Sequence, residues 1–272
     1  MSVRVPVLAV VGRRHSGKTT VVEGIVSGLV KEGFRVASAK HVSKKDFSMD
    51  TEGKDTWRHS AAGANPVIVV SDRETVINVG DGAKSVSLDS LVDIAEDYGG
   101  NVVVLEGFSS VVLKDRRVGK IVCVRSREEY DEFRKAAERE VLAYCSVHPV
   151  ERKVFDTKKD LPAMVEKATI FIEKSRRILE VLGQLPGLDC RKCGRVSCWE
   201  LAEDIVSKKA KLDDCVPLKV KPELKTTITV GGVEVPVQPF VAEIVRKTVL
   251  AMISTLKGTN ITGKEQIKIN IT

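Results

Sequence analysis

The stretch Gly12-Arg13-Arg14-His15-Ser16-Gly17-Lys18-Thr19 decides the fold class of this chain. It fits the phosphate-binding pattern G-x-x-x-x-G-K-[ST] at every fixed position. Residues 5–11 before it are almost all apolar, which is typical of a strand buried on both faces. Residues 18–31 after it carry apolar side chains at helical spacing, and Gly33 follows as a C-terminal glycine would. Strand, glycine loop and helix together predict a site for the phosphates of a nucleotide.

The residue types of the loop suggest their roles. Lys18 is expected to contact the outer phosphates, and Thr19 is expected to place its hydroxyl on a magnesium ion. Gly12 and Gly17 permit backbone conformations that a side chain would block. The alternative is a glycine turn that binds nothing. The full set of predicted nucleotide contacts is Gly12, His15, Ser16, Gly17, Lys18, Thr19 and Thr20, and Lys18 is also predicted to be catalytic.

A second apolar strand, at 101–105, ends in Glu106. In phosphate-loop proteins a carboxylate at this position holds the magnesium ion or its water shell. Glu106 is therefore predicted to be a magnesium ligand and a catalytic residue. Asp50, in the loop after a strand predicted at 34–39, could hold a magnesium-bound water.

Three charged residues follow that loop. Lys54 and Arg58 could contact phosphate or an acidic ligand, and Asp55 could cap a short helix that stops at Gly63. Surface charges and a helix cap explain these three residues as well as ligand contacts do.

Strand-like and helix-like segments alternate along the first part of the chain. This order predicts an α/β fold: a doubly wound, mostly parallel sheet of the P-loop NTPase type. Residues 66–70 and 75–79 predict an antiparallel hairpin, and 141–147 the last strand of the sheet. Ser126 and Glu129 form a capping-box pattern for a helix running to Glu140.

A second nucleotide-related pattern lies at Thr157-Lys158-Lys159-Asp160. It matches the T-K-x-D form of the guanine-reading element of GTPases. Asp160 directly precedes a predicted helix, however, so plain helix capping explains it better.

The totals restrict the class of protein. The chain has 272 residues, a formal net charge of +7 and 4% aromatic residues. Basic residues alternate with acidic ones, so a nucleic-acid partner is not indicated. No apolar run is long enough to span a bilayer, and the start Met1-Ser2-Val3-Arg4 does not resemble a secretion signal. A cytoplasmic location is expected.

Four of the six cysteines form the second informative pattern. Cys190, Cys193, Cys198 and Cys215 have the spacing C-x2-C-x4-C-x16-C, and an amphipathic helix is predicted between the last two. Four thiolates can hold a [4Fe-4S] cluster or a single zinc ion. Zinc ribbons usually present two matching C-x2-C knuckles, whereas this pattern is asymmetric.

Three domains are predicted from these patterns. Residues 1–172 form the nucleotide-binding domain, and 173–218 contain a helix and the four-cysteine domain. Residues 219–272 form an α+β tail, with a hairpin at 225–230 and 233–237 around Gly231-Gly232, a helix at 239–256 and an edge strand at 266–271.

Residues 4–172 resemble the family of the B protein of molybdopterin-guanine dinucleotide biosynthesis. The resemblance rests on the order of several short motifs besides the phosphate loop. These are Lys40-His41, Asp46-Phe47, Asp50, Gly53-Lys54-Asp55, Arg58, Ala62-Gly63-Ala64 and Leu105-Glu106-Gly107-Phe108. It implies a GTP-binding, weakly hydrolysing, homodimeric protein that assists the guanylyl transferase attaching GMP to molybdopterin. Lys44 and Lys45 stand where family members often carry histidine.

The cysteine module resembles the small [4Fe-4S] domain of the corrinoid iron-sulfur protein's large subunit and of the B subunit of ion-translocating electron-transport complexes. The shared residues are Leu185-Pro186-Gly187, Cys193-Gly194 and Cys215-Val216-Pro217-Leu218. This resemblance implies that the four cysteines bind a [4Fe-4S] cluster.

The expected function is therefore GTP-dependent assistance in molybdenum or tungsten cofactor biosynthesis, with Mg²⁺ and an appended [4Fe-4S] cluster as cofactors. Two other classes stay open. One is an NTPase whose nucleotide state gates electron delivery from the cluster, and the other is a metallochaperone-type GTPase. ATP is not excluded as the nucleotide.

Overall fold

The computed structural model describes residues 4–44, 47–80, 87–219, 228–230, 233–235 and 239–256. The chain divides into two compact units, Met1–Glu180 and Val181–Thr272. Across the described ranges, no helix has the length and apolar character needed to cross a membrane. The predicted domain boundaries after residues 172 and 218 remain predictions.

The first unit is built on a parallel sheet. Six strands within the described residues pair side by side in the order β2-β5-β1-β6-β7-β8, and every pairing is parallel. The predicted α/β, mostly parallel sheet is confirmed. The strands are β1 (Val7–Gly12), β2 (Val36–Lys40), β3 (Val67–Val70), β4 (Thr75–Asn78), β5 (Val102–Glu106), β6 (Val118–Cys123), β7 (Val141–Ser146) and β8 (Phe155–Asp156).

Helices of the first unit pack against both faces of this sheet. Further helices belong to the second unit. In chain order the helices are α1 (Lys18–Lys31), α2 (Asp55–Ala61), α3 (Leu88–Asp97), α4 (Ser109–Val112), α5 (Arg127–Ala136), α6 (Leu161–Gln184), α7 (Cys198–Val206), α8 (Val216–Lys219) and α9 (Pro239–Ser254).

Alternate residues of β1 belong to two separate hydrophobic cores. Leu8 and Val10 pack in one core with buried residues of α1 and α6. Val7, Ala9 and Val11 pack in the other with residues of α3 and α5. A strand with helices on both faces has no solvated side, which explains the nearly continuous apolar run in the sequence.

The structure corrects two predictions about the far side of the sheet. β7 is not the last strand, because the two-residue strand β8 pairs with it in parallel. The helix after Ser126 ends at Ala136, not at Glu140. Beyond it, Arg139 and Glu140 adopt left-handed conformations with φ of 36° and 49°.

The early end of α5 has a physical cause. The carbonyls of Glu138 and Arg139 accept hydrogen bonds of 3.0 and 3.1 Å from the ammonium of the buried Lys120, and that of Asp115 accepts one of 2.7 Å. Three carbonyls satisfy the three donors of one lysine. In a continued helix the backbone N–H of Glu138 would donate to the carbonyl of Arg134, but it donates instead to the carbonyl of Leu113 at 3.0 Å.

The predicted hairpin is confirmed. β3 and β4 pair antiparallel, with Ile68 opposite Ile77 and Val69 opposite Val76. All four of these side chains are exposed, as is Val70. The hairpin therefore presents apolar residues on both faces.

The second unit contains the cysteines and the tail. α7 lies between Cys198 and Cys215 as predicted, followed by a short 3-10 turn at Leu212–Asp214. Strands β9 (Ile228–Val230) and β10 (Val233–Val235) pair antiparallel, which agrees with the predicted hairpin. The helix predicted to 256 is α9 and ends at Ser254. The turn at 231–232 and the strand predicted at 266–271 lie outside the described residues, as does Asp46.

Candidate functional site

The loop between β1 and α1 has the backbone of an anion site. Gly12 ends β1, and Gly17 precedes the first residue of α1, Lys18. Gly12, His15 and Gly17 have φ values of 150°, 59° and 86°. Left-handed residues between right-handed ones turn successive N–H groups toward one side, and the start of α1 adds its positive dipole. This geometry suits a phosphate group.

The predicted nucleotide residues come together at this loop. An open pocket of about 410 Å³ lies beside it. Gly12 ends β1 and does not line this pocket, whereas the other six predicted nucleotide contacts do. The lining residues are Arg14, His15, Ser16, Gly17, Lys18, Thr19, Thr20 and Glu106.

Two lining side chains are suited to a polyphosphate. The Lys18 ammonium donates a 2.5 Å hydrogen bond back to the carbonyl of Arg13, which holds it over the loop. Partial burial lowers the pKa of Lys18, while the nearby Cys123 and Glu106 act in the opposite direction. The Ser16 hydroxyl is 1% exposed and has no hydrogen-bond partner. A buried orphan hydroxyl at this pocket fits a polar ligand.

Glu106 meets Thr19 across the pocket. The Thr19 hydroxyl donates to Glu106 Oε1 at 3.0 Å, and Glu106 is 8% exposed. Hydroxyl and carboxylate oxygens are ligands that Mg²⁺ accepts together with phosphate oxygens. The pair therefore fits a magnesium ion in the way that the sequence predicted for these two residues.

Besides Thr19, a second side chain contacts Glu106, and the sequence analysis did not predict it as a site residue. Lys40 Nζ lies 3.0 Å from the same oxygen, Glu106 Oε1. Lys40 is the last residue of β2 and is in register with Glu106, the last residue of β5. The sequence signals were its position after a predicted strand and its place in the Lys40-His41 motif. Neither predicts a contact with Glu106, because strand order is not readable from the sequence.

Asp50 does not line this pocket. Its Oδ1 accepts hydrogen bonds from the Thr51 backbone at 2.9 Å and the Thr56 hydroxyl at 2.7 Å. Asp50 thus fixes the entry to α2. Its assignment to the magnesium site has no support from this geometry.

Lys54, Asp55 and Arg58 also lie outside the pocket. Asp55 was expected to cap α2, but it is the first helical residue, and Lys54 occupies the cap position without a side-chain bond. Asp55 still stabilises α2, because a negative charge in the first turn interacts favourably with the positive end of the helix dipole.

Residues of the turn after β6 and of α5 bind the loop between β1 and α1. The Arg125 guanidinium donates to the carbonyl of Arg14 at 3.2 Å and also binds the Glu129 carboxylate. Arg13 reaches Glu132 of α5 at 2.6 Å. The hydrogen bond from Arg125 lowers the pKa of Glu129. The capping-box pattern is thus half right: Ser126 accepts from the Glu129 backbone, but the Glu129 carboxylate turns to Arg125.

Asp160 is engaged within its own turn. Its Oδ2 accepts a 2.7 Å hydrogen bond from the backbone of Asp156, and its carbonyl accepts from Met164 in α6. The carboxylate therefore bonds backward to residue 156, whereas helix capping would require a bond to the first turn of α6.

The four cysteines of the second unit line one small cavity. Cys190 is exposed and Cys193 half-buried, whereas Cys198 and Cys215 are buried. Nowhere in the described ranges do three or more His, Cys, Asp or Glu side chains have the spacing to hold one metal ion. The four thiols therefore share a cavity and not a single coordination point.

The backbone around this cavity also has alternating handedness. Gly187, Asp189, Arg191 and Gly194 all have positive φ, with 44° for Asp189 and 59° for Arg191. Such alternation turns N–H groups into a concavity, which is found at many iron-sulfur sites. Four cysteine thiolates are the ligands of [4Fe-4S] clusters, so donor set and backbone fit that group.

Polar contacts fix the cysteine loop. The Asp189 carboxylate accepts a 2.6 Å hydrogen bond from the backbone of Cys198. Arg195 donates to the carbonyl of Cys193 at 2.9 Å and to Asp204 of α7 at 3.1 Å. Trp199, next to Cys198, is buried. These contacts join the loop to α7.

Comparison with known proteins gives matches for both units. The family model of molybdopterin guanine dinucleotide synthesis protein B matches residues 7–147. A second model, described as "Putative Fe-S cluster", matches residues 185–217, which include the four cysteines.

Individual relatives match over different lengths. A Methanocaldococcus jannaschii protein described as "Putative molybdopterin-guanine dinucleotide biosynthesis adapter protein" is 29% identical over 97% of both chains. The Haemophilus influenzae molybdopterin-guanine dinucleotide biosynthesis adapter protein is 32% identical over 56% of this chain and 80% of its own. The crystal structure of a MobB protein homolog from Bacillus stearothermophilus is 27% identical, with a TM-score of 0.44, over 60% of this chain and 98% of its own.

Proposed function

Since this chain belongs to the family of the molybdopterin guanine dinucleotide synthesis protein B, we propose that it is a GTP-binding adapter of molybdenum or tungsten cofactor biosynthesis. We further propose that it acts in the cytoplasm, assists the guanylyl transferase that attaches GMP to molybdopterin, and carries a [4Fe-4S] cluster. Its relatives from M. jannaschii and H. influenzae are described as adapters of this biosynthesis.

The observation that carries the nucleotide part is the contact between Thr19 and Glu106 beside Lys18. Thr19 lies in the first turn of α1, after the phosphate loop, and Glu106 ends β5. Magnesium would be held by these two side chains, while Lys18 and the loop amides neutralise phosphate. Bound magnesium would supply charge neutralisation for the phosphate oxygens.

The residues at this pocket favour binding over fast hydrolysis. Glu106 is already engaged by Thr19 and Lys40 at 3.0 Å each, so its carboxylate serves as a ligand and not as a free base. Lys18 acts as a fixed positive charge. We therefore propose a weak GTPase in which the nucleotide is chiefly a ligand or is handed to the transferase.

A homodimer is part of the proposal. The hairpin β3–β4 exposes Ile68, Val70, Val76 and Ile77, and both of its faces are apolar. An isolated two-stranded hairpin is marginally stable in water, and it gains stability when its apolar faces are covered. A second copy of the chain would supply the same surface by two-fold symmetry.

The cluster part rests on the cysteine cavity. The proposed ligands are Cys190, Cys193, Cys198 and Cys215, and the positive-φ residues of the loop orient backbone N–H groups toward it. The family model described as "Putative Fe-S cluster" matches residues 185–217, which include the four cysteines, and this match supports the same assignment.

One anaerobic preparation tests both parts. Iron and sulfide are expected in about equal amounts, near four per chain, with little zinc. Calorimetry in the presence of Mg²⁺ is expected to give tight binding of GTP and weak binding of ATP. The guanylyl transferase is expected to co-purify with the tagged protein.

The matched variants are Lys18→Ala and Lys31→Ala, at the two ends of α1. Lys18→Ala should weaken GTP binding by roughly 10- to 100-fold, as expected for loss of a charged hydrogen bond, and leave the iron content unchanged. Lys31→Ala should bind like wild type. Absence of binding of any purine triphosphate by the wild type would refute the nucleotide proposal, and zinc without iron would refute the cluster.

A further inference from the structure

One carboxylate oxygen of Glu106 contacts two side chains. Thr19 Oγ1 and Lys40 Nζ each lie 3.0 Å from Glu106 Oε1. The carboxylate is 8% exposed, and a buried carboxylate is costly unless a positive charge compensates it. Lys40 supplies a positive charge in direct contact, whereas the ammonium of Lys18 bonds to the carbonyl of Arg13.

The sheet itself brings Lys40 to this position. Residues 36–40 of β2 pair in register with residues 102–106 of β5, so Lys40 lies beside Glu106 at the same edge. The His41 backbone donates to the Glu106 carbonyl at 2.9 Å and extends the pairing by one residue. The side chain of Lys40 is 55% exposed, so its ammonium can leave Glu106 without unfolding the strand.

We propose that Lys40 is the residue that distinguishes a nucleoside triphosphate from a diphosphate, and that it occupies the magnesium side of Glu106 until the triphosphate arrives. This inference rests on the proposed nucleotide site. Magnesium at Thr19 and Glu106 competes with Lys40 for the same carboxylate oxygen. A divalent ion with its phosphate ligands displaces a single ammonium that has solvent on its other side.

The displaced lysine stays next to the terminal phosphate. If Thr19 and Glu106 held magnesium together with the terminal phosphates of a nucleotide, the γ-phosphate would lie near Glu106 and hence near Lys40. With a diphosphate, the γ-phosphate is missing and Lys40 keeps its pairing with Glu106. The two lysines then have separate tasks: Lys18 serves both nucleotides, whereas Lys40 serves the triphosphate.

The test compares Lys40→Gln with wild type, with Lys40→Arg as the charge-conserving variant and Lys31→Gln as the control for loss of surface charge. Calorimetry with Mg²⁺ measures Kd for GDP and for the non-hydrolysable analogue guanosine 5′-(β,γ-imido)triphosphate. In Lys40→Gln the ratio of Kd for GDP to Kd for the triphosphate analogue should fall by about 10-fold or more, because the triphosphate analogue binds more weakly while GDP, which meets no competing ammonium, binds as tightly as in wild type or more tightly. Lys40→Arg and Lys31→Gln should keep the ratio near the wild-type value.

A second measurement tests whether Lys40 occupies the magnesium side of Glu106 before the triphosphate binds. Without nucleotide, Lys40→Gln leaves Glu106 without its positive partner, so its melting temperature should be lower than that of wild type. Mg²⁺ with GDP should then raise the melting temperature of Lys40→Gln by more than that of wild type, because the metal meets no competing ammonium.

The outcomes separate the inference from the proposed function. An unchanged Kd ratio in Lys40→Gln, or equal weakening of both nucleotides, overturns the role of Lys40 while the nucleotide site stands. A wild-type chain that binds neither nucleotide overturns the proposed site and the inference together. Loss of binding by Lys40→Arg as well as Lys40→Gln, with intact melting curves, also contradicts a role that depends on charge alone.

Discussion

Gly12 lies directly against the backbone of Cys123: a β-carbon on Gly12 would stand 2.3 Å from the Cys123 carbonyl oxygen. The two residues are in register on the neighbouring strands β1 and β6, and Gly12 has a φ of 150°. Close approach and backbone angle both require glycine at this position. The glycine that opens the loop between β1 and α1 is thus needed for the packing of β1 against β6.

Replacing this glycine should damage stability and binding together. Gly12→Ala forces β1 or the loop away from Cys123, and we expect it to lower the free energy of unfolding by roughly 1–3 kcal/mol and to weaken nucleotide binding. Urea unfolding and calorimetry measure the two effects. Gly183→Ala in α6 is the control, because no atom lies within 4 Å of its added β-carbon. Wild-type stability in Gly12→Ala would contradict the geometry.

The two cysteines outside the second unit should be unreactive in the folded protein. Cys123 Sγ and Cys145 Sγ lie 3.4 Å apart, and both residues are fully buried. The hydrogen bond to Cys145, together with burial, raises the pKa of Cys123 well above its usual value. Because the thiolate is the reacting species, Cys123 stays a thiol at pH values where an ordinary cysteine ionises.

Thiol labelling checks this expectation. With iodoacetamide at about pH 8, Cys123 should remain unmodified in the folded protein and react only in urea. In cluster-free protein the exposed Cys190 should react first. Peptide mass spectrometry identifies the modified positions. The folded state keeps a proton on Cys123 that the unfolded chain loses, so this residue lowers stability as pH rises above the usual thiol pKa. Rapid native labelling of Cys123 would contradict its burial.

Arg195 should influence the proposed cluster through its charge. Its guanidinium is fixed by Asp204 and the carbonyl of Cys193, at the wall of the cysteine cavity. A positive charge there stabilises the reduced, more negative cluster. We expect Arg195→Gln to shift the midpoint potential to more negative values, measured by redox titration with electron paramagnetic resonance, and Lys209→Gln to leave it unchanged. Equal potentials in wild type and Arg195→Gln would exclude this influence.

Lys120 should be a structural residue of the sheet. Its ammonium satisfies the carbonyls of Asp115, Glu138 and Arg139, and burial lowers its pKa. Lys120→Met would leave these partly buried acceptors without their donor, and we expect a loss of roughly 1–3 kcal/mol in the free energy of unfolding. Urea unfolding measures it, with Lys31→Met on the surface as the control. A change below about 0.5 kcal/mol, the range of ordinary surface substitutions, would show that water replaces the ammonium.

Local patterns predicted the individual elements well. The helix at Lys18–Lys31 has the predicted bounds, because its apolar spacing and end residues are local signals. The prediction missed β8, since a two-residue strand has no pattern of its own and forms only where β7 offers a free edge. The end of α5 was misjudged because the residues after it bond to distant parts of the chain, Glu138 N–H to the carbonyl of Leu113 and the Glu138 carbonyl to Lys120.

Sequence alone determined the phosphate loop, the alternation of strands and helices, and the grouping of four cysteines, because each depends on residues close together in the chain. The tertiary structure decided which distant residues meet. It placed Lys40 beside Glu106 through the pairing of β2 with β5, and it bonded Asp50 to Thr56, outside the pocket that Thr19 and Glu106 line. Strand order is a consequence of packing over the whole sheet, so no local pattern records it.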